Sequence, residues 1–340
     1  MSDIVSTVEA AYDLSADEPS WLEHIANSAR PWLDAGHGVI AYHFDASPML
    51  EVKIGPVALS GARPSHATVP SAAAAELGAM NAEAYRRAGA CSTVSDAFEG
   101  TVPFDWKRFY PPGVHDFIAL FGRTPDHRGV VLGAPLAAVT TVGRRRTTLS
   151  CVAVHLGAAF RIREMLGSER SALLEASSME AVLTPTGQCL EARRNATSRT
   201  AREELREMAR AVDRARGKLR RSDPDEALAL WRGLVSGRWS LVDHFDSDGR
   251  RFVVALRNDP TVTDPRALTL RERQVAYFAS LGYTNKLIAY ALGVSSASVS
   301  LHLKEAAHKL RVTSRTDLAA FFAPFEGDEA SVLPTTRLSE

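Results

Sequence analysis

"LTLRERQVAYFASLGYTNKLIAYALGVSSASVSLHLKEAAHKLRV", residues 268–312, holds three runs of helical spacing, broken once at Gly282-Tyr283-Thr284 and once at Gly293-Val294-Ser295. Thr269 followed by Glu272 has the form of a capping box, in which each side chain satisfies a backbone N–H that the first turn leaves orphaned. It opens a helix with Val275, Phe278 and Ala279 turned inward. A second helix starts at Thr284 and buries Ile288, Ala289 and Leu292. Gly293 follows where a helix end favours a left-handed residue. Ser295 then caps a third helix, whose stripe of Val299, Leu303, Ala306 and Leu310 recurs at spacings of four, three and four. Ser314 and Asp317 make a further capping box before Leu318, Phe321 and Phe322.

Two helices joined by a three- or four-residue turn containing glycine make a helix-turn-helix. The first turns of the second helix of such a pair reach base edges in the major groove. Here they carry Ser296, Ala297, Ser298, Ser300 and Leu301. Short hydroxyls and free backbone N–H groups at a helix start allow close approach to phosphate, and Lys304 with Lys286 supplies charge. The competing reading from geometry is a plain four-helix bundle with a solvated basic face.

The same residues resemble the LuxR/FixJ type of DNA-binding domain. "LTLRERQV", "GYTNKLIAYAL", "VSSASVSLHLKEAAHKLRV" and "SRTDLAAFF" follow its pattern in order and spacing over about residues 266–324. The resemblance implies a four-helix head that binds double-stranded DNA as a homodimer. It places Ser298, Ser300, Leu301 and Lys304 on the groove side, Lys286 near phosphate, His302 at a phosphate or packing position, and Leu318, Phe321 and Phe322 in a dimer contact. Ser300 stands where many relatives carry a base, Leu287 where they carry glutamate, and Gln274 where they carry another acid. Each lost phosphate contact flattens the salt dependence of binding by about one unit of slope, so a modest affinity is expected of one head alone.

Composition bounds the rest. The 340 residues are 45% hydrophobic and 24% charged, enough for two or three folded domains. Forty basic and forty acidic side chains cancel, yet the charge is regional: acidic over the first sixty residues, arginine-rich over 191–221, basic over 266–322. The three cysteines, Cys91, Cys151 and Cys189, are far apart and suggest neither a disulfide framework nor a metal site. No secretory leader is evident and no apolar run reaches the roughly 20 residues of a bilayer span, so a cytoplasmic protein without membrane contact is expected.

Residues 1–167 read as an α+β domain. Helices fall at about 4–13 and 20–33, strands around Val39–Phe44 and Val52–Val57, an alanine-rich helix over "SAAAAELGAMNAEAYRRAGA", a hairpin across "HDFIALFGRTPDHRGVVLGAPLA", and a long helix over 145–166. This order, an antiparallel sheet flanked by helices, resembles a GAF-type sensor. Such a resemblance implies that the long helix acts as a dimer seam or signal rod. Residues 168–260 hold two hairpins, turning at Thr-Gly and Ser-Asp-Gly, around an Arg/Glu-rich helix. They resemble a PAS-like insert, and the sequence leaves open whether they form their own sheet or extend the first. Residues 261–324 are the helix-turn-helix head and 325–340 an acidic tail.

The aromatics Trp106, Phe109, Tyr110 and Phe117 line a ligand pocket on one reading and a core under a loop on another. Scattered histidines and the absence of nucleophile-elbow or metal spacing give no support for an enzyme, a cofactor or a metal. Cys91 reads as a reactive thiol or as a plain buried one. The function expected is a dimeric DNA-binding transcriptional regulator gated by a small-molecule or protein signal at its front domain. The alternative is a regulator whose front domain binds a protein partner, with DNA contact secondary.

Overall fold

The computed structural model describes residues 3–47, 51–88, 90–98, 105, 108, 110, 112–124, 127–139, 142, 145–167, 176–231, 234–235, 238–246, 248–257, 268–280, 284–292, 294–310, 312, 314 and 317–318. Two compact units emerge: Met1–Val235 with Ser240–Arg257, and Ser236–Trp239 with Asn258–Glu340. As expected from the sequence, the first unit begins with an antiparallel sheet flanked by helices.

Helices α1 (Ile4–Ala11) and α2 (Glu18–Leu33) start at Asp3 and Asp17, whose carboxylates accept from the backbone N–H of Ser6 and Ser20. Strands β1 (Val39–Asp45) and β2 (Lys53–Ser60) pair as a hairpin. They are followed by α3 (Val69–Arg87), β3 (Cys91–Thr93), the short α4 (Val94–Ala97), β4 (Asp116–Arg123), β5 (Arg128–Leu136) and α5 (Arg146–Leu166). The sheet order is β2-β1-β5-β4-β3, with every neighbour antiparallel.

Both faces of this sheet are covered, so alternate side chains enter two different cores. Val39, Ala41, Leu120, Val130 and Leu132 pack with α1, α2 and α5. Ile40, Tyr42, Phe44, Phe117, Ala119 and Val131 pack on the other side with α3. Helix α5 lies close on β4 because the contact uses glycine: a Cβ at Gly122 would stand 2.4 Å from the Cβ of Leu156 and 2.6 Å from the Gly157 nitrogen.

The expectation that α5 serves as a dimer seam fails on burial. Its apolar stripe, Leu149, Val152, Leu156, Ala159 and Ile162, is buried as read, and so are Ser150, His155 and Arg163 on its other faces. His155 meets the Tyr12 hydroxyl at 3.2 Å through Nδ1. Arg163 donates to the carbonyls of Asp13 (3.1 Å) and Ala16 (2.9 Å) and stacks over Trp21. The helix is a core element of its own chain, with His155 and Arg163 spent on the α1–α2 connection.

The second hairpin region forms its own sheet. Strands β6 (Met179–Leu183), β7 (Cys189–Ala192), β8 (Leu234–Val235), β9 (Trp239–Phe245) and β10 (Arg251–Arg257) run in the order β7-β6-β10-β9-β8, the same permutation as the first sheet. Both expected turns are present, closed by Gly187 N–H to the Thr184 carbonyl and by Gly249 N–H to that of Asp246. The Arg/Glu-rich segment is divided. A 3₁₀ turn covers Arg194–Thr197, Ser198 then caps α6 (Arg199–Arg216), and α6 buries Ala201, Leu205, Ala209, Val212 and Ala215 while Arg199, Arg202, Arg206 and Arg210 face solvent.

Helices α7 (Leu219–Ser222) and α8 (Pro224–Leu230) carry the chain back to α1. There Arg220 donates to Asp3 (2.8 and 2.9 Å), to Glu9 (3.2 Å) and to the Ser6 hydroxyl (2.6 Å). Arg216 pairs with Glu9 and with Asp243 of β9. This ionic cluster ties Asp3 and Glu9 of the acidic N-terminus to Arg216 and Arg220 of the arginine-rich segment. Among the described residues no helix is long and apolar enough to cross a membrane.

Candidate nucleic-acid interface

The second unit is built on α9 (Leu270–Ser280), α10 (Asn285–Leu292) and α11 (Ser296–Leu310). Its core is self-contained: Leu268, Val275, Phe278, Ile288, Val299, Ala306, Leu310 and Leu318 belong to one cluster whose members all lie between 268 and 318. The start signals read from the sequence are made. The Glu272 backbone N–H donates to Thr269 Oγ1 at 3.2 Å, and the Thr269 N–H to Glu272 Oε2 at 2.8 Å. Thr284 caps α10 through the Leu287 N–H, Ser295 caps α11 through that of Ser298, and Ser314 and Asp317 cap each other.

One ion pair in this unit is not evident from charge counting. Lys309, at the end of α11, donates to both oxygens of Glu272 at 3.0 and 2.7 Å. Glu272 is only 8% exposed at its side chain. Burial raises its pKa, but the Lys309 ammonium and the Thr269 N–H outweigh that and hold the carboxyl below its ordinary value. Lys309 is thus an internal staple that sets the angle of α11 against α9. The signal for it was the spacing of Glu272 in the capping box, which leaves the second carboxylate oxygen free to take a cation.

The residues expected on the groove side divide into two groups. Ser300 and Ser298 are exposed or half-exposed but already engaged. The Ser300 hydroxyl accepts from Asn285 Nδ2 (3.1 Å) and donates to the Ser296 carbonyl (3.0 Å), which holds α10 against α11. Ser298 shares a 2.9 Å hydroxyl contact with the cap Ser295. Ser296, Leu301 and Lys304 face solvent, and Leu301 is 57% exposed.

Lys286 is exposed at the start of α10, beside Asn285 and hence near Ser300. Neither Lys286 nor Lys304 has an ion-pair partner among the described residues. His302 is half-buried. Leu318, expected in a dimer contact, is 2% exposed and packed in the domain's own core, so it is not offered to a partner. Phe321 and Phe322 lie outside the described residues.

In the front unit Tyr110 and Phe117 line one apolar cavity, whereas Trp106 and Phe109 lie outside the described residues. Cys91 is fully buried in β3, and burial pushes its thiol up to about 12, which keeps it protonated and unreactive at neutral pH. No cluster of three or more His, Cys, Asp or Glu side chains placed to hold a metal occurs among the described residues.

A short capped helix held at a fixed angle, with its outer face carrying small hydroxyls, one leucine and unpaired lysines, defines a helix-turn-helix of the DNA-binding class. Residues 266–322 match the family model described as bacterial regulatory proteins, luxR family, and that segment is a LuxR-family helix-turn-helix domain. The domain supports a DNA-binding transcription regulator and points to a regulator rather than an enzyme.

No curated protein sequence matches the chain. Among solved structures it is similar to Escherichia coli SdiA, with 11% identity over 94% of each chain and a TM-score of 0.31. It is also similar to bacteriophytochrome RpBphP3 from the photosynthetic bacterium R. palustris, with 11% identity over 75% of this chain and 61% of that one, at a TM-score of 0.32. At those scores neither likeness carries an argument about the fold.

Proposed function

We propose that the protein is a cytoplasmic, homodimeric transcription regulator in which the front unit, a tandem of GAF-like and PAS-like sensor sheets, gates DNA binding by α11. The observation that carries this reading is the outer face of α11. Ser296, Ser300 and Lys304 recur at intervals of four along an exposed stripe of a helix whose Val299, Ala306 and Leu310 are buried. Leu301 and Lys286 flank that face with an exposed methyl-bearing side chain and a free cation.

Base-edge contact falls to Ser296, Leu301 and Lys304, and phosphate contact to Lys286 and the N-terminal N–H groups of α11. Dimerisation falls to the segment after Leu318. The shared strand order of the two front sheets supports reading them as a tandem pair. The test is enrichment of genomic DNA fragments by the full chain and by residues 262–340, whose self-contained core supports folding alone. Site enrichment by the fragment alone supports a gate; enrichment by neither form contradicts DNA recognition and favours a protein partner.

A further inference from the structure

Between the first sheet and α3 lies a cavity of about 80 Å³, within a groove of about 720 Å³ when its open mouth is included. Tyr42 of β1, Phe117 and Phe121 of β4, and Leu77, Asn81 and Tyr85 of α3 are among its walls. Among the described residues none of the lining side chains is charged.

Two donors in this wall are unspent. Asn81 is 5% exposed, and its Nδ2 is buried with no hydrogen-bond partner. The hydroxyls of Tyr42 and Tyr85 share one hydrogen bond of 2.6 Å. Two phenols carry two hydroxyl hydrogens, and that bond uses one. Burial pushes the Tyr85 phenol up to about 12 and Tyr42 well above its ordinary value, so both keep their hydrogens at neutral pH. An orphaned amide donor in apolar surroundings is destabilising, a burden that an acceptor placed in the cavity removes.

We propose that this cavity binds a small neutral aromatic molecule carrying an acceptor oxygen, such as a ketone, aldehyde or phenol. Its ring lies between α3 and the sheet, and its oxygen accepts from Asn81 Nδ2 and the spare tyrosine hydroxyl. The proposal rests on the sensor reading of the front unit and names its ligand class. A carboxylate of the same size is disfavoured because no lining cation among the described residues compensates for its desolvation.

An apolar cavity that takes benzene measures about 150 Å³, so the space must open for a ring to enter. The joint is present in α3. Gly78 has φ 47° and ψ −124° inside the helix, a conformation that a side chain disfavours, and it separates Pro70 and Ala73 from Asn81 and Tyr85 in the wall. Ligand entry swings the half of α3 beyond Gly78 outward, which couples occupancy to the position of the helix that leads into β3.

The test titrates the full chain with acetophenone, ethylbenzene and benzoate by calorimetry. Acetophenone is expected to bind, about tenfold more weakly to Asn81→Leu. Ethylbenzene is expected to bind the two forms equally, and benzoate neither. Circular dichroism checks the variant's fold, and Tyr42→Phe combined with Tyr85→Phe, which removes the other donor with little change of shape, serves where Asn81→Leu does not fold. Absence of acetophenone binding, equal binding by every variant, or binding of benzoate overturns the proposal. DNA affinity measured with and without acetophenone separates this site from the gate. Binding that leaves DNA affinity unchanged keeps the site and overturns the gating, whereas intact DNA binding with no acetophenone binding overturns the site alone.

Discussion

Replacing Lys309 by methionine tests whether this lysine holds the DNA-binding domain together or touches DNA. The side chain keeps its length and loses its charge, leaving Glu272, 8% exposed, without the two bonds of 2.7 and 3.0 Å that Lys309 gives it. Removing one partner of a fully buried pair costs about 3–5 kcal/mol. Lys309 is 30% exposed, and water reaching the carboxylate from that side reduces the expected loss to about 2 kcal/mol. A domain of this size has a total stability of about 3–8 kcal/mol, and each kcal/mol moves its melting point by roughly 4–8 °C. Thermal unfolding of residues 262–340 should therefore fall by about 8–16 °C.

Combining Lys309→Met with Glu272→Gln removes the stranded charge as well and should restore about half of the loss, because a neutral amide is far cheaper to leave buried. The reasoning is refuted if Lys309→Met melts like the parent while its DNA affinity drops with a shallower salt dependence. Lys309 would then be a phosphate contact.

The same pair gives a pH dependence. The Glu272 carboxyl titrates below its ordinary 4.5 in the folded domain, so its stabilisation is complete above about 4.5 and is lost as pH falls through the depressed value. The parent domain's melting point should drop more steeply below pH 4.5 than that of Lys309→Met, measured by circular dichroism. Gly122→Ala places a Cβ 2.4 Å from Leu156 Cβ; it should lower front-unit stability by about 1–3 kcal/mol in a urea titration of the full chain. Arg163→Met strips the Asp13 and Ala16 carbonyls of their donor and should cost about 1.5–3 kcal/mol in the same assay, since a charged donor to part-buried carbonyls is lost.

Local signals carried far in this sequence. The capping boxes at Thr269/Glu272 and Ser314/Asp317 are written within four residues and fold as written. The hairpin turns at Gly187 and Gly249 are likewise local. What escaped is long-range. Strand β3 is three residues, Cys91-Ser92-Thr93, with no period to betray it, and only its pairing with β4 makes it a strand.

The amphipathic pattern of α5 predicted a helix with one buried face. Its polar residues are buried too, because Tyr12 and the α1–α2 carbonyls supply partners that no local pattern reveals. In the candidate interface the residue types were legible but their engagement was not. Ser300 looks available in sequence and is tied to Asn285, fifteen residues away, while Lys309 looks like free charge and is paired with Glu272. In the cavity, Tyr110 and Phe117 stand out as aromatics in one stretch. Tyr42, Asn81 and Tyr85 come from two other segments and meet only where α3 packs on the sheet.

The most direct test of the central claim is the salt dependence of DNA binding for the parent and for Lys304→Glu, with dimerisation and melting point measured alongside. If α11 lies in the groove, the variant keeps its assembly and stability, binds more weakly, and its plot of log affinity against log salt flattens by about one unit or more. An unchanged affinity and slope would contradict the placement of α11 on DNA.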